Sequence, residues 1–511
     1  MINGIGSWLV KHSDRHVNKT AIVYKDKRFT YRQLNDRVNR LAHSLVDLGV
    51  RKGDRVNTLL FNRNELLETL FACAKIGAIF VPINFRLSVA EVEYIVRDSG
   101  GIVFVYDDRL EAIANGLAER TPQIRSFIRV GDEQMGAHLA YEQLLAKSKH
   151  EEPEYIVGLD DAHMMMYTSG TTGRPKGAVL THGNTQWNAI NCLDALPITE
   201  DMITLTVAPL FHIGGMNIFT TPALYKGGTV ILEDKFDPQL TLELVERESI
   251  TALFLVPAMW LAITQFPRLE QYDLSSLTFN ISGGAPCPLT IIEFFQNRNI
   301  PFFEGFGLTE TAPVVAVLDG ENSARKNGSV GKAPIHTEVK VVDPYGHEVP
   351  TGQVGELAVK GPNIFVEYWN KPEATREAIR NGWFFTGDLA KQDEEGFLYI
   401  VDRMKDMIIT GGENVYPIEV EQVLFRHPNI REVAVVGYPD EKWGESVKAV
   451  IALKNPNEAL DLQAVRAFCE GKLATFKIPK QIDLVDALPR NATGKVLKIV
   501  LRSKEIENSL T

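Results

Sequence analysis

Hydrophobic positions along the first three hundred residues keep two rhythms, a period near 3.6 and short unbroken apolar runs, and the two alternate. Ala21–Tyr24 and Arg28–Tyr31 flank a Lys25-Asp26-Lys27 turn, which predicts a hairpin. Thr30 and Gln33 have capping-box spacing, so a helix should follow, with Leu34, Val38, Leu41, Ala42 and Leu45 on one face and Gly49 placed to end it in a left-handed conformation. A strand at Arg55–Phe61, a helix at Asn64–Ile76 and an apolar run at Ile79–Ile83 continue the alternation to about residue 310, as parallel α/β layers require. From Gly328 to Tyr368 the pattern changes to short alternating strands such as Glu338–Val342 and Glu356–Val359 between Gly and Pro turns, predicting a small β-rich subdomain.

A charged run at Arg403–Asp406 separates two apolar stretches. Beyond it the pattern predicts a helix at Pro417–Phe425, strands at Glu432–Val436 and Lys448–Leu453, and a helix at Leu462–Leu473, enough for a small α/β domain. The expected fold is therefore α/β: a large N-terminal domain over residues 1–403, of layered α/β sheets with a small β-rich subdomain, and a small α/β domain over 404–511. No internal repeat and no low-complexity segment interrupts it.

Composition narrows the function. With 511 residues, 45% of them hydrophobic and 23% charged, the chain is a globular protein too long for one ordinary core. A net charge of -11 disfavours a general nucleic-acid binder, so any phosphate must be held by local groups. Cys73, Cys192, Cys287 and Cys469 have no paired spacing, which suggests neither a disulfide frame nor a zinc site and points to a reducing cytoplasm. Met1–Lys11 lacks the features of a signal peptide, and no stretch reaches the roughly 18 apolar residues of a membrane-spanning helix. Transient contact with a membrane surface and a homodimer are both compatible with this composition.

The segment Thr168–Gly177, TSGTTGRPKG, follows the apolar run Met164–Tyr167. Gly170, Gly173 and Gly177 let backbone N–H groups approach oxyanions; the hydroxyls of Thr168, Ser169, Thr171 and Thr172 can donate, and Lys176 adds charge. A flexible polar turn would need no such set. A Walker loop is excluded by order, because Lys176 is followed by Gly177 and Ala178 and not by Ser or Thr.

This string resembles the phosphate loop of the adenylate-forming superfamily, which includes acyl-CoA synthetases, luciferases and peptide-synthetase adenylation domains. Further matches follow in the family's order: PLFHIGG at Pro209–Gly215, SGGAP at Ser282–Pro286, EGFGLTET at Glu304–Thr311, GWFFTGD at Gly382–Asp388, the stretch Asp402–Pro417, and PRNATGKVLK at Pro489–Lys498. The resemblance covers nearly the whole chain. It implies ATP-dependent activation of a carboxylic acid as an acyl-adenylate, followed by transfer to coenzyme A, with Mg²⁺ as the metal.

Residue by residue, the resemblance places Phe306 against the purine, with Glu304, Gly305 and Gly307 beside it and Gly284, Ala285 and Pro286 as a small-residue wall. Thr309 would donate to the α-phosphate, and Glu310 with Thr168 would serve the metal; their own chemistry, a hydroxyl donor and a hard oxygen ligand, suits both roles. Asp388, expected in a Gly-Asp turn, and Arg403 would clamp the ribose. Lys495 would enter the site to offset charge on the transition state. Lys405 matches the family's pivot, making 404–511 a mobile domain that carries Lys495. After rotation Gly411, Gly412 and Glu413 would replace it and, with Trp443 and Lys477, line the coenzyme A path.

For the acyl pocket the resemblance selects His212, Ile213, Gly214, Met216, Gly283, Gly307, Ala312, Pro313 and Val314, with His212 at its mouth. No acidic residue follows Phe211 to pair with an amino acid's ammonium, and no carrier domain follows Thr511, so free coenzyme A is the expected acceptor. Gly214 and Gly215 suggest depth, which makes a medium- or long-chain fatty acid the first expectation and a hydroxycinnamate-like aryl acid the second. A luciferase-like oxygenase would instead consume oxygen, and a non-catalytic nucleotide binder would release no pyrophosphate.

Overall fold

The computed structural model describes residues 4–131, 138–168, 174–440, 442–456, 458–490 and 495–502. Its first sheet has eight strands in the order Val314–Leu318, Phe302–Gly307, Phe279–Ser282, Ala252–Leu255, Ile203–Thr206, Thr229–Leu232, Thr20–Tyr24 and Lys27–Thr30, parallel inside with an antiparallel strand at each edge. A second eight-stranded sheet runs Glu367–Tyr368, Lys176–Thr181, Ala162–Thr168, Ile79–Pro82, Arg55–Leu59, Val103–Asp107, Ser126–Val130 and Leu139–Ala140. Helices packed between the sheets share one core with both of them. The helix Asn64–Ile76 is buried at all 13 positions, which explains its apolar surround. Tyr31–Asp47 begins at the predicted capping box, Thr30 Oγ1 accepting from Gln33 N, and Gly49 follows it with φ of 88°.

The β-rich part is larger than the alternation at 328–368 predicts. Strands Glu338–Val342, Gly355–Lys360, Trp383–Gln392 and Leu398–Arg403 form one antiparallel sheet that reaches the end of the proposed N-terminal domain. Glu367–Tyr368 leaves that subdomain altogether and pairs with Ala178–Val179 at the edge of the second large sheet. The reason is local: Trp369 N donates to Gly177 O at 2.8 Å and Val366 N to Val179 O at 3.1 Å. Asp388 lies within the strand Trp383–Gln392 and not in a turn: Gly387 at φ 70° falls in the bulge opposite Gly355–Lys360, and pairing on the other side continues from Asp388 to Arg403.

Residues 408–484 form a fourth sheet over a core of their own, built around Ile408, Val433, Val435, Val447, Ala449 and Val465. Its helices Pro417–Leu424 and Leu462–Cys469 and its long strands Ile430–Asp440 and Gly444–Leu453 overlie the predicted elements. Among the described residues no helix is long and apolar enough to cross a membrane.

Candidate active site

Strand Ala162–Thr168 turns back into Lys176–Thr181, with Thr168 opposite Lys176 in the antiparallel register. The expected phosphate-loop residues Ser169, Gly170, Thr171, Thr172 and Gly173 lie outside the described residues. Their flank is described. Lys176 Nζ stands 5.1 Å over the Tyr368 ring, and Tyr368 Oη donates to Glu310 Oε1 at 2.7 Å. Tyr368 was missed by motif reading, since only the unforeseen edge strand brings it there.

Thr309–Thr311 is a short 3-10 turn whose backbone is fixed by buried amides. Asn363 Nδ2 donates to Thr311 O and Val314 O, Asn188 Oδ1 accepts from Val314 N, and Asn217 Nδ2 donates to Ala312 O. Burial pushes the Glu310 carboxyl above its ordinary value, with the Tyr368 hydroxyl opposing. A buried carboxylate against burial's penalty suits a cation; Glu310 and Thr168 are hard oxygen donors that fit Mg²⁺. Among the described residues no group of three or more His, Cys, Asp or Glu gathers.

A cavity of about 320 Å³ opens between the large N-terminal part and the C-terminal unit. Gly284, Ala285, Pro286, Glu304, Gly305, Phe306, Gly307, Asp388, Arg403 and Lys495 all line it. Gly307 has no choice of residue: a Cβ there would sit 1.8 Å from Pro313 O. Arg403 Nε meets Asp388 Oδ1 at 2.9 Å, while Asp388 Oδ2 is buried without a hydrogen-bond partner. That free acceptor is what a vicinal diol would satisfy. Burial raises the Asp388 carboxyl, and the charges of Arg403 and Lys495 pull it back. Lys495 is itself lowered to about 8 by burial and by Arg403, with Asp388 opposing. Glu304 is pushed up to about 8 by burial, and its Oε2 is another buried acceptor without a partner.

His212, in the loop before Ile213–Gly215, is lowered to about 4 by burial and by the charge of Lys495, so its imidazole is neutral. Gly214 N approaches its Nδ1 at 3.3 Å, which leaves the proton on Nε2. The depth expected from Gly214 and Gly215 is not there. A Cβ on Gly214 would lie 2.9 Å from Phe254 Cζ, and one on Gly215 would lie 2.4 Å from Pro209 O. Gly215 thus serves a close backbone approach, and the room beside Gly214 is filled by the Phe254 ring. The same ring would be 3.3 Å from a Cβ on Gly283. Phe254, on the strand Ala252–Leu255, carries no motif and could be found only from the fold. Ile213, Met216, Ala312 and Val314 are buried, and Pro313 connects the last two.

Gly411, Gly412, Glu413, Trp443 and Lys477 do not line the cavity. Gly411 and Gly412, at φ 60° and 86°, make the two-residue turn of the hairpin Ile408–Thr410 to Glu413–Val415, and Gly411 N donates to Trp443 O at 2.8 Å. Lys477 Nζ pairs with Glu419 at 2.7 Å. Lys405 sits just past the last strand of the β-rich sheet.

Two layered α/β sheets, an antiparallel strand pair flanking the glycine-rich motif, and a nucleotide-sized cavity closed by a lysine from the C-terminal unit define an adenylate-forming enzyme. Residues 9–369 match the model for AMP-binding enzymes and residues 419–495 the model for the AMP-binding enzyme C-terminal domain, so the chain belongs to the AMP-binding enzyme family. It is 43% identical over 502 residues to a feruloyl-CoA synthase of Amycolatopsis sp, covering 98% of this chain and 99% of the relative. An indoleacetate–CoA ligase of Aromatoleum aromaticum is 40% identical, with 97% and 96% covered, and a long-chain-fatty-acid–CoA ligase of Mycobacterium tuberculosis is 39% identical, with 94% and 93% covered. The crystal structure of an anthranilate CoA ligase in complex with anthranoyl-AMP superposes with a TM-score of 0.95 at 28% identity, covering 100% of this chain and 99% of that one. The chain is an acid–thiol ligase of the AMP-forming kind, and its cofactors are ATP, Mg²⁺ and coenzyme A.

Proposed function

We propose that the protein joins an aromatic carboxylic acid of the hydroxycinnamate class to coenzyme A. The observation that carries this reading is Phe254, whose ring packs against Gly214 and Gly283 and takes up the room their missing side chains would leave, a flat apolar face beside the residues the resemblance assigns to the acyl group. The feruloyl- and indoleacetate-activating relatives support the same choice. A fatty acid is the second reading, supported by the Mycobacterium tuberculosis relative.

In the first half-reaction a carboxylate oxygen of the acid attacks the α-phosphorus of ATP and pyrophosphate leaves. Thr168, Lys176 and the loop between them would hold the phosphates, and Thr309 would donate to the α-phosphate. Mg²⁺ held by Glu310 would offset charge on the leaving group. Phe306 and the Gly284–Pro286 wall would enclose the adenine, and Asp388 with Arg403 the ribose. The Lys495 ammonium would bridge substrate carboxylate and α-phosphate, where a preorganised charge in a water-poor site is most effective. In the second, the thiol sulfur attacks the acyl carbon, AMP leaves and the thiol proton is released.

We place the domain boundary between residues 403 and 404, with Lys405 as pivot, so that rotation withdraws Lys495 and brings Gly411–Glu413, Trp443 and Lys477 to the site. The four cysteines are free and buried, which supports a cytoplasmic setting. A pyrophosphate-release screen across hydroxycinnamic, other aryl and C8–C16 fatty acids, with and without coenzyme A, tests the reading. Turnover of fatty acids above aryl acids would refute the substrate class.

A further inference from the structure

The cavity is bordered by a short helix, Pro417–Leu424, which meets the other half of the molecule at two points, Ile418 N and the Gln422 side chain. At its first turn Ile418 N donates to Asp402 Oδ2 at 3.1 Å, while Asp402 Oδ1 takes Arg403 N at 2.7 Å. One turn later Gln422 uses both ends of its amide. Nε2 donates to Cys287 O at 3.3 Å, and Oε1 accepts from Leu289 N at 3.4 Å. Cys287–Leu289 continues directly from the Gly284–Pro286 wall of the cavity. Between these two side chains Glu421 Oε1 holds Lys498 Nζ at 2.8 Å and accepts from Val435 N at 2.8 Å. Lys498 is three residues beyond Lys495 and buried in the same segment. A continuous chain of contacts therefore runs from the nucleotide wall through Gln422, the helix, Glu421 and Lys498 to the segment that carries Lys495.

Resting on the two-step reaction proposed above, we infer that Gln422 and Asp402 are positioning residues for adenylation, a two-point latch that holds Lys495 at the cavity and must release for thioester formation. The bonds suit a reversible latch. Both Gln422 contacts are long and neutral, and such bonds contribute only modestly each, so they bias the docked pose without locking it. The amide matches one donor and one acceptor on the opposing backbone, so it selects a register that an apolar contact would leave free to slide. Both residues line the cavity, and the role assigned to them is to hold the helix, not to act on the reacting atoms.

Gln422→Met removes both bonds with little change in volume. Acid-dependent pyrophosphate release is expected to fall about ten-fold, while conversion of supplied acyl-adenylate and coenzyme A to thioester stays equal or rises. Asp402→Ala should show the same split, and Asp402→Asn, which keeps an acceptor for Ile418 N, should recover most of the loss. Equal losses in both half-reactions, or none in either, would overturn the latch. Failure of the proposed reaction is told apart by the wild type: if it releases no pyrophosphate with any acid, the latch is read from tryptic cleavage within Arg403–Asp406. That cleavage should be several-fold faster in Gln422→Met, and an unchanged rate refutes the latch by itself.

Discussion

Glu304 shows how one side chain ties the cavity to pH. Its carboxyl is raised by burial from 4.5 to about 8, so the folded protein prefers it neutral. The stability that follows from a raised pKa is complete below the ordinary carboxylate range and is lost as pH climbs toward 8. At 1.36 kcal/mol per unit the loss is on the order of 4 kcal/mol, and Glu304→Gln should abolish it. Thermal unfolding of both proteins from pH 5 to 8.5 checks this: the wild-type midpoint should decline with pH more steeply than the variant's, whose remaining slope comes from other raised carboxyls such as Glu310 and Asp388. Lys495 has the opposite displacement, lowered to about 8 by burial and Arg403. Rising alkalinity eases docking of the neutral amine but removes the ammonium proposed to serve adenylation, so on that proposal kcat/KM for ATP should fall above pH 8. Lys495→Ala should slow pyrophosphate release by on the order of 3–4 kcal/mol in the barrier, yet still convert supplied acyl-adenylate to thioester. A variant that adenylates normally would remove Lys495 from the mechanism.

Elements that obey a local rule were legible before any coordinates. The capping box at Thr30, the helix Asn64–Ile76 and the strand before the glycine-rich loop follow from periodicity and turn chemistry within a dozen residues. The cavity lining from Gly284 to Lys495 was legible from motifs, because each short string carries its own backbone demand. What stayed hidden depends on contacts between segments far apart in the chain. Phe254 reaches Gly214 only because its strand lies next to Ile203–Thr206, and Tyr368 reaches Glu310 only by adding to a distant sheet edge. For the same reason adjacent glycines were misread as empty volume. Phe254→Ala should widen the acyl pocket and shift preference toward longer acids, measured as kcat/KM for a C12 acid against ferulate. Gly215→Ala should destabilise the fold by about 1–3 kcal/mol, since the new methyl meets the Pro209 carbonyl.

At the scale of the molecule, the proposed reaction sets Lys495 at the cavity for adenylation and away from it for thioester formation. Lys405→Pro restricts backbone rotation at the pivot, so it should preserve pyrophosphate release while suppressing thioester formation at least ten-fold, read by separate half-reaction assays. Loss of both would place the pivot elsewhere. The cavity has walls from two units, each with a core of its own. Any molecule seated there works as mortar between them, gaining affinity only as they come together and holding them together in return. Heating the empty protein should then melt the smaller unit ahead of the larger one, and a tight acyl-adenylate mimic should fuse the two melts into a single cooperative event.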